Sequence, residues 1–501
     1  MRCFGLKPLS MTMAVKRFTN NMSDGLKKTM VNALKWSAVD RTLQQGVQFV
    51  IGIVLARLLC PADYGLIGMI MIFAQIAYVM VESGLGSALL RTNDITETHY
   101  NTMFYTNLTL SVVMYVALFF LAPFIADFFH QPSLVEISRV TFIAILFNAL
   151  YLVPYNHINR EMDYKSLAKV NFISTVISGG IGIAMAFTGF GVWALVVQQT
   201  GYHFFRMIAF YFLTRWKPSA LFSWSILKGY IPFSANMLGT TLLTVLFNNI
   251  YTFIIGRTYK VDVVGNYTQG YKISETVNFT FVAILGSAYN LFSKIHDQKE
   301  RLRQYVRSLN QKISIICLPL TLFLTVSAKP LFFILFGEKW LDAVPFFQLL
   351  CLANLFVPIY QINVHAINAR GYSKTTFMIE LFKRAIMLIS ILCSFYFDLG
   401  IYYMLLGYVL ACWMAFAISC ITTKRHIGVY FKHQFKDMIT SVLTAIIIAL
   451  PCYAASLLIE NLYLLFAVEV TIAAMLYILI ITTFQKDLLK EVKLLLKGEQ
   501  Q

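Results

Sequence analysis

Long apolar stretches recur along the chain from residue 32 to residue 484, and short polar segments separate them. A membrane-spanning helix needs roughly 17 to 25 mostly apolar residues, and no polar block in this region is long enough to fold as a soluble domain. The pattern therefore predicts an all-α integral membrane protein with about fourteen transmembrane helices. The predicted spans are 32–57, 64–90, 103–129, 134–158, 166–188, 190–214, 229–256, 263–293, 308–328, 343–368, 375–397, 400–422, 437–458 and 462–484.

Lysine and arginine residues fall mainly on alternate loops, and this asymmetry predicts the orientation of the chain. Cytoplasmic loops carry the positive excess in membrane proteins. With both termini in the cytoplasm, 29 of the 41 Lys and Arg residues lie on the cytoplasmic side, 5 on the opposite side and 7 within spans. The net charge of +17 thus reflects topology, and we expect no nucleic-acid partner.

Composition and motifs argue against several functional classes. The chain is 58% hydrophobic and 13% charged, whereas a soluble domain carries about 25% charged residues. It contains no phosphate-binding P-loop, no HExxH and no GxSxG motif, and its eight cysteines show no CxxC spacing. We expect no enzyme activity, no cofactor and no metal site. The first 31 residues lack the apolar stretch of a signal peptide, and Met22 is an alternative start.

An internal repeat emerges when the chain is shifted against itself by 200 residues. Arg57 then aligns with Arg257, Gly65 with Gly265, and the tetrapeptide LGSA at 85–88 with the same tetrapeptide at 285–288. A register shared over two spans favours a duplication, and it predicts two parallel, pseudo-symmetric six-helix bundles. The predicted parts are a cytoplasmic segment at 1–31, an N-lobe at 32–215, a C-lobe at 216–425, and two further spans with a basic tail at 426–501.

Polar side chains in the first span form a candidate binding surface. Ionisable residues inside a span are costly, so they usually face a cavity or a partner. An arginine beside a row of glutamines suits an anionic headgroup that bears sugars, because a guanidinium binds phosphate and amides bind hydroxyl groups. The alternative is a polar helix interface in which the arginine pairs with a carboxylate on a neighbouring helix. The candidate cavity residues of this span are Asp40, Arg41, Gln44, Gln45 and Gln48.

Two further residues have no opposite charge nearby on their own helix. Arg206 in the sixth span has no acidic neighbour and is a candidate cavity residue. Glu82 in the second span has no cation within four residues, which suits proton or sodium coupling. The alternative for Glu82 is a salt bridge between helices.

Two other charged pairs have the spacing of ion pairs within one helix. Lys272 and Glu275 are three residues apart, as are Glu136 and Arg139, so each pair is expected to neutralise itself. The functional alternative places Lys272 in the cavity and Glu275, which the repeat aligns with Gln75, among the coupling residues.

Four segments carry a resemblance to a known family. ALKWSAVDRTLQQGVQFVIGIVLARLLCPADYGLIGMIMIF, VESGLGSALLR, NREMDYK and GFGVWALV resemble, in sequence and spacing, the first six spans of the polysaccharide-exporter branch of the multidrug/oligosaccharidyl-lipid/polysaccharide (MOP) superfamily. The chain looks most like Wzx-type flippases of the colanic acid and teichuronic acid kind. The later half is more loosely similar, through FGEKW at 336–340 and NARG at 368–371.

The resemblance implies a function in the bacterial cytoplasmic membrane. It implies a MATE-like fold in which two bundles enclose a cavity, and alternating access that moves an undecaprenyl-diphosphate-linked oligosaccharide to the outer leaflet. Related flippases of the peptidoglycan precursor have a pattern similar to Arg57, Asp63 and Glu82, which are therefore candidate gating or coupling residues. The repeat adds Arg257. Sodium ions or protons are the implied coupling ions, and the implied partners are the lipid-linked substrate, membrane lipids, a polysaccharide polymerase and glycosyltransferases.

Two alternative functions compete with this interpretation. A cation-coupled multidrug exporter would share the architecture, but fourteen spans and the basic excess argue against it. A glycan polymerase or ligase would need a sizeable external catalytic loop, and the predicted outer loops are short.

Overall fold

The computed structural model describes residues 24–82, 84–92 and 94–484, and every regular element among them is helical. The alternative start at Met22, most of the predicted segment at 1–31 and the end of the basic tail lie outside these residues. The contacts divide the chain into two compact units, Met1–Gly265 and Asn266–Gln501. The predicted lobe boundaries at residues 215 and 425 were drawn from topology and the repeat, and they stay predictions.

The described residues of the first unit form eight complete helices and the first turn of a ninth. Within this unit, α1 packs against α6, α6 against α7, α7 against α5, and α5 against α4. Helix α2 packs against α5 and α8. The helices are α1 (Asp24–Leu58), α2 (Pro61–Glu82), α3 (Leu85–Arg91), α4 (Glu97–Phe128), α5 (Leu134–Arg160), α6 (Tyr164–Phe187), α7 (Val192–Thr214) and α8 (Trp224–Thr258).

The second unit follows from α9 (Val261–Lys294), whose first turn still belongs to the first unit. A short 3-10 helix, Glu338–Ala343, lies between α11 and α12. The remaining helices are α10 (Lys299–Val326), α11 (Ala328–Phe336), α12 (Val344–Asn354), α13 (Val357–Ala369), α14 (Ser373–Tyr396), α15 (Ile401–His426), α16 (Phe431–Leu458) and α17 (Leu462–Phe484).

Helices long and apolar enough to cross a membrane account for most of the described chain. Ten segments meet this criterion among the described residues. The other four predicted spans lie on α1, α7, α9 and α14, which carry charged or amide side chains that lower their hydropathy. The all-α membrane fold is confirmed, and the count of fourteen spans stays a prediction.

Two predicted spans are each built from two helices. The span at 64–90 breaks after α2, where Gly84 adopts a left-handed backbone conformation with φ of 71°, which costs little only for glycine. The span at 343–368 breaks between α12 and α13. Pro358 stands in the first turn of α13, where backbone N–H groups have no partner within the helix and the N–H group that proline lacks is not missed.

Two glycines that the predicted repeat aligns lie at a close helix crossing. A Cβ atom on Gly65 would clash with the Val261 carbonyl oxygen, and one on Gly265 would clash with the Pro61 carbonyl oxygen. The same shift of 200 residues relates the two clashes, which supports the duplication. The two LGSA segments differ, however, because the first forms α3 after a break and the second lies inside the continuous α9.

Candidate functional site

The side chain of Arg206 lies among four aromatic rings in the first unit. Its guanidinium carbon is 4.7 Å from the ring centroid of Tyr151, 5.5 Å from that of Tyr155, and 5.6 Å from those of Tyr202 and Phe210. One guanidinium nitrogen, Nη1, donates a 3.0 Å hydrogen bond to the Tyr151 hydroxyl group. Cation–π attraction is strongest where the cation is desolvated, so these rings stabilise the arginine without a carboxylate.

Neighbouring helices extend this arrangement into a polar network. The Tyr151 hydroxyl group lies 3.1 Å from Nδ1 of His203, and Tyr78 of α2 stacks on the His203 ring. From α1, the Gln44 amide donates a 3.1 Å hydrogen bond to the Tyr202 hydroxyl group. We call this group of side chains the arginine cluster; it consists of Tyr151, Tyr155, Tyr202, His203, Arg206 and Phe210.

No described carboxylate forms an ion pair with the arginine cluster. Arg206 forms no ion pair with any described residue, and its buried Nε has no hydrogen-bond partner among them. Glu82, at the end of α2, interacts with Arg206 only through space. Because a guanidinium has five N–H donors, Arg206 retains donors for an anionic ligand.

The structure brings one of the five candidates on α1 directly to the arginine cluster. Gln44 makes the contact described above. Asp40 instead accepts two 3.2 Å hydrogen bonds from the Asn171 amide, which joins α1 to α6. Arg41 is exposed, and Arg41, Gln45 and Gln48 make no side-chain hydrogen bond or ion pair with described residues. The alternative in which Arg41 pairs with a neighbouring carboxylate is therefore not seen in the described part of the chain.

Two of the candidate gating residues, Asp63 and Arg257, make contacts at helix ends outside the arginine cluster. Asp63 accepts hydrogen bonds from the backbone N–H and the thiol of Cys60, at 3.0 and 3.1 Å, and so closes the turn between α1 and α2. Arg257, at the end of α8, donates a 2.7 Å hydrogen bond to the Phe128 carbonyl oxygen. Arg57 is exposed in the last turn of α1. These contacts give Asp63 and Arg257 structural roles at turns.

The expected ion pair on α9 is not formed. Glu275 accepts hydrogen bonds from the side-chain amides of Asn278, at 3.3 Å, and Asn354, at 3.4 Å, and it makes no ion pair with Lys272 in the described chain. The Glu275 carboxylate points to the amides of Asn278 and Asn354 because both amides lie within hydrogen-bonding distance. The spacing of Lys272 and Glu275 along the helix does not by itself fix the rotamer of either side chain. Lys272 and Glu275 therefore do not neutralise one another.

The expected pair of Glu136 and Arg139 is not formed either. The Arg139 guanidinium lies 4.1 Å above the ring of Phe119 on α4, and no ion pair joins it to Glu136 among the described residues. A ring on a neighbouring helix competes for the cation, and spacing within one helix contains no information about that ring.

Several residues of these sites were not identified from the sequence. The tyrosines of the arginine cluster were missed, although Tyr151 and Tyr155, and Tyr202 and Arg206, are each four residues apart and so share a helix face. In the second unit, Tyr360 was also missed: its hydroxyl group donates a 2.5 Å hydrogen bond to Glu380, which the sequence groups with Lys383 and Arg384 on the same helix face. The four-residue spacing within each helix could have indicated the tyrosines of the arginine cluster. The sequence does not show which helices face one another.

Comparisons with known proteins give a consistent picture. The sequence profile of a family described as "Polysaccharide biosynthesis protein" matches residues 54–345. The succinoglycan biosynthesis transport protein ExoT of Rhizobium meliloti (strain 1021) is 25% identical over 65% of this chain and 66% of that protein, just under two thirds of its length. The teichuronic acid biosynthesis protein TuaB of Bacillus subtilis (strain 168) is 23% identical over 70% of this chain and 74% of that protein. The lipopolysaccharide biosynthesis protein WzxC of Escherichia coli (strain K12) is 24% identical over 72% of this chain and 73% of that protein.

Solved structures share the fold. The lipid II flippase MurJ in an inward closed conformation matches with a TM-score of 0.71 and 13% identity, over 91% of this chain and 100% of that chain. A multidrug resistance MATE family transporter of the MOP superfamily, in its inward-facing conformation, matches with a TM-score of 0.61 and 14% identity, over 79% of this chain and 98% of that chain. At such identities the likeness shows a MurJ- and MATE-like fold.

Proposed function

Because the chain belongs to the polysaccharide biosynthesis protein family, we propose that it is a flippase for polyprenyl-diphosphate-linked oligosaccharides, which it moves from the cytoplasmic to the outer leaflet by alternating access. Relatives named for succinoglycan transport and for teichuronic acid and lipopolysaccharide biosynthesis support this function. The chain is a multi-pass membrane transporter and not an enzyme.

The observation that carries the proposal is that Arg206, inside the helices of the first unit, forms no ion pair with any described residue. The substrate is amphiphilic: its lipid tail can stay in the bilayer, while the diphosphate and the sugars need a polar route. A guanidinium binds phosphate oxygens through two parallel N–H donors. Aromatic neighbours hold this guanidinium without using up its charge, as a carboxylate would.

The first helix supplies further polar groups to the same proposal. Arg41 has no partner among the described residues and would offer a second cation to the diphosphate. Gln44, Gln45 and Gln48 would offer amides to the sugars. Glu82, close to Arg206, is the proposed group for proton or sodium coupling.

The cellular setting is part of the proposal. We place the protein in the bacterial cytoplasmic membrane with both termini in the cytoplasm, on the strength of the uneven distribution of Lys and Arg. Its substrate would come from membrane-associated glycosyltransferases and pass to a polysaccharide polymerase.

Variants of Arg206 test the proposal in cells that depend on this chain for surface polysaccharide. A charge-assisted hydrogen bond contributes about 1.5–3 kcal/mol, so Arg206→Gln should lower export at least about tenfold and cause lipid-linked repeat units to accumulate. Arg206→Lys keeps the charge but loses the planar pair of donors, so we expect an intermediate effect. Arg139→Gln is the matched control, because it removes an arginine that lies over Phe119 and outside the cluster.

Two outcomes would contradict the proposal. Unchanged export by Arg206→Gln at normal protein levels would show that the cluster does not bind substrate. A deletion strain that becomes drug-sensitive while its surface polysaccharide stays normal would instead favour the multidrug exporter.

A further inference from the structure

The last described helix, α17, carries one charged residue, the carboxylate of Glu469. Glu469 is fully buried, with 0% of its surface exposed. Neither of its carboxyl oxygens has a hydrogen-bond partner among the described residues. Such a group needs an explanation, because buried polar side chains are nearly always hydrogen-bonded.

Only uncharged groups are found around Glu469 in the described structure. α17 packs against α11 and α16. From the junction of α10 and α11, the fully buried Ser327 faces the carboxyl group, in a geometry that does not form a hydrogen bond between the two side chains. From α16, the Cys452 thiol donates a 3.6 Å hydrogen bond to the backbone carbonyl oxygen of Glu469.

The charged residues of the packed helices are too far away or too exposed to neutralise Glu469. Lys329 on α11 is exposed. The charged residues and the histidine of α16, Lys432, His433, Lys436 and Asp437, are at its opposite end, and its only titratable side chains at the near end are the Cys452 thiol and the Tyr453 phenol. Asp437 precedes Cys452 by fifteen residues, or about 22 Å along the helix. The other titratable side chains of α17 are tyrosines, one of which, Tyr463, packs on Phe333 of α11.

An ionised carboxylate in these surroundings would be strongly unfavourable. Transfer of an unpaired charge into a low-dielectric interior costs far more than transfer of a neutral group, and side chains in this position take up a proton instead. Ser327 can donate to a carboxylic acid or accept from it, since a hydroxyl group does both.

We propose that Glu469 is a proton-binding site that couples protonation to the packing of α17 against α11 and α16. With the proton bound, the helices pack over a neutral acid. When α17 separates and water reaches the carboxyl group, the proton is released. The ligand is a proton, because one carboxyl and one hydroxyl group supply too few oxygens for a sodium ion. This inference does not depend on the identity of the transported substrate.

Carbodiimide labelling of the wild-type protein in lipid nanodiscs is the first test. Dicyclohexylcarbodiimide adds to protonated carboxylic acids in apolar surroundings, and peptide mass spectrometry locates the adduct. We expect an adduct on Glu469 at neutral pH that declines as the pH rises. Absence of that adduct would overturn the proposal, and so would its loss in sodium chloride but not in choline chloride, since a sodium ion would then be the occupant.

The thiol of Cys452 provides the second test, because it is buried in the same contact. Its alkylation by a maleimide reports separation of α16 from α17. If the separation of α16 from α17 releases one proton, the open state becomes about tenfold more populated for each unit by which the pH rises. The ratio of the wild-type alkylation rate to that of Glu469→Gln should therefore rise about tenfold per pH unit between about pH 6 and pH 9.

The ratio isolates the carboxyl group because the same thiol is measured in both proteins. Glu469→Gln keeps the shape and polarity of the protonated acid but cannot release a proton. A negative charge on Glu469 would by itself disfavour the thiolate form of Cys452 and so lower the wild-type alkylation rate. This direct electrostatic effect therefore cannot produce the expected rise of the ratio. A flat ratio over this pH range would overturn the proposal. Glu469→Asp, which still titrates, should keep the slope, and the labelling test needs no variant. Neither readout measures transport, so failure here is distinct from failure of the proposed flippase function.

Discussion

Removal of the Tyr151 hydroxyl group should weaken the arginine cluster selectively. Tyr151→Phe deletes one oxygen atom and keeps the ring that lies 4.7 Å from the Arg206 guanidinium carbon. The cation–π contact therefore persists, while Arg206 loses its 3.0 Å hydrogen bond and His203 loses its 3.1 Å contact. Any effect of the variant thus reports these two interactions and not the packing of the ring.

The magnitude follows from the two hydrogen bonds. A hydrogen bond between helices inside a membrane contributes about 0.6 kcal/mol on average and about 1.7 kcal/mol at most. The bond from Arg206 involves a charged donor and takes the upper value, whereas the contact with His203 takes the average. We therefore expect a loss of about 2 kcal/mol in the free energy of unfolding.

The free energy of unfolding can be measured by detergent titration of the purified protein in mixed micelles. Tyr155→Phe is the matched control, because the Tyr155 ring also lies against Arg206 but its hydroxyl group makes no hydrogen bond in the described structure. The control should change the free energy of unfolding by less than about 0.5 kcal/mol. Export of polysaccharide should fall in Tyr151→Phe, because the guanidinium is no longer held in one orientation, and stay normal in Tyr155→Phe.

Equal effects of the two substitutions would refute this reasoning. They would mean that the Tyr151 hydroxyl group neither orients Arg206 nor links it to His203. A destabilised Tyr151→Phe protein with normal export would confirm the hydrogen bonds but separate them from substrate binding.

Two further predictions concern the first helix and the glycine crossing. Arg41→Ala should abolish polysaccharide export while the protein still inserts, as measured by surface polysaccharide and by the amount of protein in the membrane fraction; normal export at normal expression would argue against a role in binding. Gly265→Ala should lower the free energy of unfolding by about 1–3 kcal/mol through overpacking against the Pro61 carbonyl group. Gly286→Ala on the same helix has open space around the new methyl group and should have little effect, so similar losses in both variants would contradict the crossing.

The membrane architecture could be predicted from the sequence because lipid imposes one simple requirement. Every backbone polar group must be satisfied inside the bilayer, so long apolar stretches form helices. The family could be predicted as well, since motifs such as NREMDYK are local strings of residues. Arg206 was identified by the same local logic, as a charge with no opposite partner on its own helix.

Side-chain pairing could not be predicted in this way, because competing partners lie on other helices. The sequence predicts that Lys272 neutralises Glu275 and that Arg139 neutralises Glu136. In the structure, Asn354 of α12 binds Glu275, and a phenylalanine of α4 lies beneath Arg139.

Hydropathy and charge along the chain were enough to predict a helical membrane protein, because the bilayer acts on each segment separately. Only the tertiary structure decided which helices meet. That packing surrounds Arg206 with tyrosines, and it buries Glu469 among neutral groups. The physical reason is that the energy of a charge inside a membrane depends on what lies within a few ångströms of it, and those neighbours are distant in sequence.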